Sequence, residues 1–129
     1  MASPEHNTAL PCAFCGHGEP SASESHGICE LCSRTLDLSD DVRLVQLPDL
    51  PRKVVLIPVK SNNLEAAGWR NVDGKVGVLL LQFRGSAKVH RYANVTRQWW
   101  EAFWQADSKG SFFHNTVRAD PAAHPFTTV

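Results

Sequence analysis

Four cysteines carry the chemistry that can be read most directly from this chain. Cys12 and Cys15 form one C-x2-C pair and Cys29 and Cys32 a second, with thirteen residues between the pairs. Two such pairs at that distance are a strong zinc signal. Each pair wraps a tight turn whose backbone N–H groups face the sulfurs, so two thiolates reach one ion from one knuckle. The second knuckle completes a tetrahedron with Zn–S distances of about 2.3 Å. Gly16 after Cys15, and Ser25-His26-Gly27 before Ile28-Cys29, suit the sharp bends this requires. Four thiolates close the coordination sphere, which points to structural Zn2+; a catalytic ion keeps one position open. Two disulfides or a redox C-x2-C are the competing readings. Disulfides need an oxidising compartment, and MASPEHNTALPCAFC shows no basic segment leading into an apolar one. A redox pair needs a strand–helix setting that the pattern lacks. The expectation is a cytoplasmic protein with zinc on Cys12, Cys15, Cys29 and Cys32, and with His17 and His26 as turn residues.

The second chemical signal is charge. The chain is neutral overall, yet residues 1–50 hold eight acids and two bases while residues 51–129 hold eleven bases and five acids. An acidic half joined to a basic half suggests that the basic half meets an anionic partner. The bland alternative is mutual attraction of the halves, or ordinary solvated surface. Within the basic half, side-chain alternation puts Lys88, His90 and Tyr92 on one strand face and Val89 and Arg91 on the other. Arg84 sits at the turn beside them. Aromatic surface next to positive charge is how single-stranded nucleic acid is held, with stacking worth about 1–3 kcal/mol per base. The competing reading makes Tyr92 a core residue and the bases solvated edge residues that discourage edge pairing. Lys109, directly after the helix-capping Ser108, can join the first-turn N–H groups in holding a phosphate; an ordinary capped helix is the alternative. The cysteine segment carries Glu19, Glu24 and Glu30 against Arg34, an acidic set that repels phosphate.

These residues need elements to position them. Met1–Leu10 reads as a flexible tail, and residues 11–47 as a zinc-knuckle or ribbon module. Val42–Leu47 is too short to assign between a helical turn and a strand. Pro48-Asp49-Leu50-Pro51 stops regular structure, so residues 48–53 form a linker. Val54-Val55-Leu56-Ile57 is a continuous apolar run that reads as a buried strand. Leu64–Val72 and Lys75–Phe83 flank an Asp73-Gly74 turn, Gly77 marks a bulge, and Lys88–Tyr92 follows a turn at Arg84-Gly85-Ser86. Thr96 caps a helix bearing Trp99, Phe103 and Ala106 at i, i+4, i+7, with Trp100 and Trp104 beside them. Val95 and Trp100 stand at staple positions. Ser108 opens a second short helix in which Phe112 and Phe113, being adjacent, cannot both face the core. Residues 119–129 read as a loosely ordered tail. The fold expected is α+β: a small antiparallel sheet of three to four strands, two C-terminal helices and an N-terminal zinc module. No apolar run reaches 18 residues, so no transmembrane helix is expected.

Several stretches resemble the KTSC domain, a short module found at the C-terminus of some lysyl-tRNA synthetases and as a stand-alone bacterial or phage protein. The matching residues are Ser61-Asn62-Asn63-Leu64, Ala67-Gly68-Trp69, Leu81-Gln82-Phe83, Gly85, His90-Arg91-Tyr92 with Val95, Ser108-Lys109-Gly110-Ser111-Phe112-Phe113, and Val117-Arg118. The sequence departs at the family's central Tyr-x-Tyr, which reads His90-Arg91-Tyr92 here. The resemblance implies the α+β fold over residues 54–118, and RNA binding has been suggested for the family. No Ser/His/Asp or Cys/His set and no Gly-rich phosphate loop of standard form can be assembled, so a non-catalytic role is expected. The combined expectation is a zinc-containing accessory protein binding RNA or single strands through Arg84, Lys88, His90, Arg91, Tyr92, Lys109 and Arg118. The alternative is a protein-interaction module, phage-encoded and acting on a host nucleic-acid machine, that presents Trp99, Trp100 and Trp104 to a protein partner.

Overall fold

A computed structural model of the chain describes residues 42–50, 53–72 and 76–129. The four cysteines and the Asp73-Gly74 turn lie outside these residues. Among the described residues, six strands form one antiparallel meander in chain order: β1 (Arg43–Val45), β2 (Val54–Pro58), β3 (Leu64–Asn71), β4 (Val76–Phe83), β5 (Val89–Thr96) and β6 (Phe126–Thr128). Two helices, α1 (Arg97–Gln105) and α2 (Lys109–Asn115), sit between β5 and β6 in sequence. The α+β class agrees with expectation, but six strands replace the expected three to four. The added strands are β1 and β6, each of three residues. Such short segments show too little alternation to declare themselves, and pairing partners supplied from elsewhere decide them. β6 takes its place from the open edge of β5, with His90 opposite Thr128 and Tyr92 opposite Phe126.

Both sheet faces are covered, which explains why β2 is apolar at four successive positions. On one face, Val55, Ile57, Trp69, Leu79, Leu81, Tyr92 and Val95 pack under Trp100, Phe103, Phe113 and Val117 from the helical segment. On the other, Val54, Leu56, Val78, Leu80 and Val89 lie under Val45, Leu47 and Leu50. The β1–β2 hairpin folds across that second face: Arg43 Nη1 donates to Gln82 Oε1 of β4 at 3.3 Å, and Arg91 of β5 holds Asp49. Burying each large apolar side chain contributes about 1.5–3 kcal/mol, so covering both faces is the main source of stability.

Two close approaches lock the sheet. A Cβ on Gly68 would stand 2.3 Å from Val55 O, and one on Gly77 would stand 2.1 Å from Arg70 O. Only hydrogen fits at either position. Beside Gly77 the β4–β5 register shifts as expected: Gly77 faces Val95 and Leu79 faces Tyr92, so β5 carries the extra residue. Asn94, within the bulge, adopts φ 58°. The extra residue resets the alternation, which lets Tyr92 and Val95 both face the helices. Trp69 Nε1 then donates to Val95 O at 2.9 Å.

The helices begin where their caps predict. Thr96 Oγ1 accepts from Trp99 N at 3.0 Å, and Ser108 Oγ from Ser111 N at 3.3 Å. In α1 the buried residues are Trp100 and Phe103. In α2 Phe113 is buried and Phe112 only half-buried, as adjacent positions require.

Candidate nucleic-acid interface

The loops at one end of the sheet converge on the start of α2. Ser61 Oγ accepts from the backbone N–H groups of Asn63 and Leu64, each at 3.2 Å, which shapes the β2–β3 turn. Arg84 ties the β4–β5 turn to it: its backbone N donates to Asn63 O at 2.9 Å and its Nε to Ser61 O at 2.8 Å. Gly110 lies against the same turn, with Ser61 Oγ 3.4 Å from where its Cβ would stand. Between these pieces is a depression of about 760 Å3 lined by Lys60, Asn62, Asn63, Arg84, Lys109 and Ser111, among others. A second cavity of about 590 Å3 shares Asn62, Asn63, Arg84, Gly110 and Ser111 with it and continues to Phe83, His114 and Arg118. The two form one groove. Its cations are Lys60, Arg84, Lys109 and Arg118, and its amides are Asn62, Asn63 and Asn115.

The residues expected to bind nucleic acid divide across this geometry. Arg84 lines the groove and is half-exposed, with Glu65 Oε1 3.5 Å from its Nη1. Lys109 lines it too, donating from Nζ to Ala106 O at 3.1 Å and standing 5.9 Å above the Trp104 ring. Arg118 is exposed at the far end. Lys88 is exposed on the same turn as Arg84 without lining the groove. Neither Lys88 nor Arg118 forms an ion pair with the described residues.

Strand β5 keeps the alternation anticipated for it, and that separates its residues. His90 and Tyr92 face the helices, but Tyr92 is only 6% exposed and packs edge-on against Phe113 with centroids 5.1 Å apart. Burial pushes its phenol pKa up, opposed in part by the nearby charge of Arg118. His90 is half-buried between Phe83 and Phe126. Arg91 faces the opposite side and forms a two-pronged ion pair with Asp49, at 2.7 and 2.6 Å. That contact holds the Asp49 carboxyl below its usual pKa and raises that of Arg91, chiefly through the hydrogen bonds. The structure therefore brings Arg84, Lys109 and Arg118 to one groove, places His90 and Tyr92 on a smaller cavity that shares Phe83 and Arg118 with it, and sends Arg91 elsewhere.

The tryptophans expected to meet a protein partner are largely occupied internally. Trp100 is 1% exposed. Trp99 stacks on Phe103 and Phe112 and donates from Nε1 to Thr116 Oγ1 at 2.7 Å. Trp104 is half-buried, edge-on to Trp100 and Phe103.

Sequence reasoning missed Lys60, Asn62, Asn63 and His114 as groove-lining residues, and His124 and Phe126 as lining the smaller cavity beside Arg118. The run Ser61-Asn62-Asn63 was visible as a motif without a role. The β-prone Phe126-Thr127-Thr128 after Pro125 was the available signal for β6.

Residues 60–120 match the KTSC domain. No curated protein matches the sequence. The match begins at Lys60 and ends at Asp120, so it encloses both turns and α2 that build the groove, and leaves out β1, β2 and β6. Among the described residues no helix is long and apolar enough to cross a membrane.

Proposed function

We propose that this chain is a non-catalytic, zinc-containing accessory protein of the cytoplasm that binds RNA or single-stranded nucleic acid through the groove between the β2–β3 turn, the β4–β5 turn and α2. The observation that supports this most is the continuity of the groove. Lys60, Arg84, Lys109 and Arg118 line adjoining cavities that share five residues, with the half-buried Phe83 ring at one end. Cations along a channel give sequence-independent attraction for phosphates, and neighbouring rings give the bases a stacking surface. The excess of six positive charges over residues 51–129 acts in the same direction. Cys12, Cys15, Cys29 and Cys32 hold a structural Zn2+ in this reading, supported by their spacing.

The test is a binding titration of the purified, zinc-loaded full chain against tRNA, single-stranded DNA and duplex DNA at two salt concentrations. The expected result is binding of tRNA or single strands that weakens steeply with salt. Absence of a salt-dependent interaction with any of the three at low salt would remove the proposal and return attention to a protein partner.

A further inference from the structure

We propose that the ring-lined cavity between β5, β6 and residues 117–124 receives one unpaired base of a bound single strand. This rests on the reading of the adjoining groove as a nucleic-acid surface. The cavity measures about 290 Å3, at the foot of the range of roughly 300–1,000 Å3 typical of small-ligand sites. That volume suits one flat ring system. Phe126 lies nearly parallel to both His90 and Tyr92, with centroids 5.4 and 5.5 Å apart and planes inclined by 24° and 26°. Phe126 is nevertheless 54% exposed, so much of its ring remains available for stacking.

The backbone holds this ring in place. Phe126 pairs with Tyr92, Thr128 pairs with His90, and Val129 N donates to Val89 O at 2.8 Å. The opposite wall is tied to the β5 bulge, where Asn94 Nδ2 donates to Ala123 O at 3.1 Å. His124 Nδ1 stands 3.1 Å from Ala93 O. A proton on Nδ1 would donate to that carbonyl and hold the ring against the cavity wall.

Arg118 makes the choice of occupant. Arg118 and Phe83 line both this cavity and the groove cavity of about 590 Å3. A ligand that puts a flat ring in the small cavity and an anion beside Arg118 matches the base and adjacent phosphate of one nucleotide. The remaining phosphates can then follow the groove toward Arg84 and Lys109. A base inside a duplex has both faces stacked and cannot enter, so the cavity selects for single strands.

Fluorescence polarisation with labelled oligouridine, oligoadenosine, an abasic strand of equal length and a duplex tests this. Phe126→Ala is expected to weaken single-strand binding about 5- to 150-fold, the span that one base stacked on a ring supplies. The slope of affinity against salt should stay unchanged, because no charge is removed. Phe126→Trp should restore affinity, and the abasic strand should bind parent and Phe126→Ala alike. The parent alone should also prefer the base-bearing strands over the abasic one, a comparison that needs no variant to fold. Salt-dependent parent binding that is indifferent both to bases and to Phe126→Ala would overturn the cavity assignment and leave the groove standing. No salt-dependent binding by the parent would overturn both.

Discussion

The salt dependence of single-strand binding should respond to removal of Arg118 and not to removal of Arg91. Arg118 is exposed at the end of the groove and forms no ion pair with the described residues; Arg91 faces the other side of the sheet with both prongs on Asp49. Each phosphate that a protein neutralises on a single strand contributes about 0.7 to the slope of log affinity against log salt. Arg118→Ala should therefore reduce the magnitude of that slope by about 0.7. Over a fourfold rise in salt the variant then loses about 2.6-fold less affinity than the parent. Arg91→Ala should leave the slope unchanged, because its charge is already matched by Asp49 and points away from the groove. The assay is a titration series with one labelled single strand over at least four salt concentrations, with folding checked by circular dichroism. Equal slope changes in the two variants, or a change in Arg91→Ala alone, would refute the partition of charge drawn from the structure.

Three further outcomes follow from the same geometry. Gly77→Ala should destabilise the protein by about 3 kcal/mol, the top of the overpacking range, since its Cβ would meet Arg70 O at 2.1 Å; Gly110→Ala, whose nearest neighbour is 3.4 Å away, should cost less than about 1 kcal/mol in the same thermal melts. Because the Asp49 carboxyl is held below its usual pKa, its pair with Arg91 adds stability above the ordinary carboxylate range. That contribution should fade as pH falls through the lowered folded value, and parent and Asp49→Asn melting curves should converge there. The cysteine spacing predicts about one zinc ion per chain by elemental analysis, lost in Cys12→Ser or Cys29→Ser; a zinc-free protein with the same fold and binding would contradict the structural role given to the metal.

Much of the fold was legible because its signals are local. The hydroxyls of Thr96 and Ser108 stop and start chain geometry by themselves, and both cap as expected. Four successive apolar residues announced β2, and Gly77 announced the neighbouring bulge. β1 and β6 were not legible, since three residues each are recruited by edges that other strands provide. The site shared that fate. Alternation along β5 correctly separated His90 and Tyr92 from Arg91, but the pairing of Arg91 with Asp49 spans 42 positions and depends on a hairpin crossing the sheet. Phe126 was hidden for the same reason: its neighbours His90 and Tyr92 become neighbours only through β6. Gly110 and the Ser61-Asn62-Asn63 turn were noticed separately, and only the tertiary fold shows that they form one wall of the groove.

The most direct test of the central claim is an amide chemical-shift titration of the zinc-loaded chain with a short unlabelled single strand. The account predicts that the perturbed amides cluster at Asn62–Asn63, Arg84–Gly85, Lys109–Ser111 and Arg118, with Phe126 and its β5 neighbours following. Shifts gathered instead around Arg43, Asp49 and Arg91, or spectra that do not change at low salt, would contradict it.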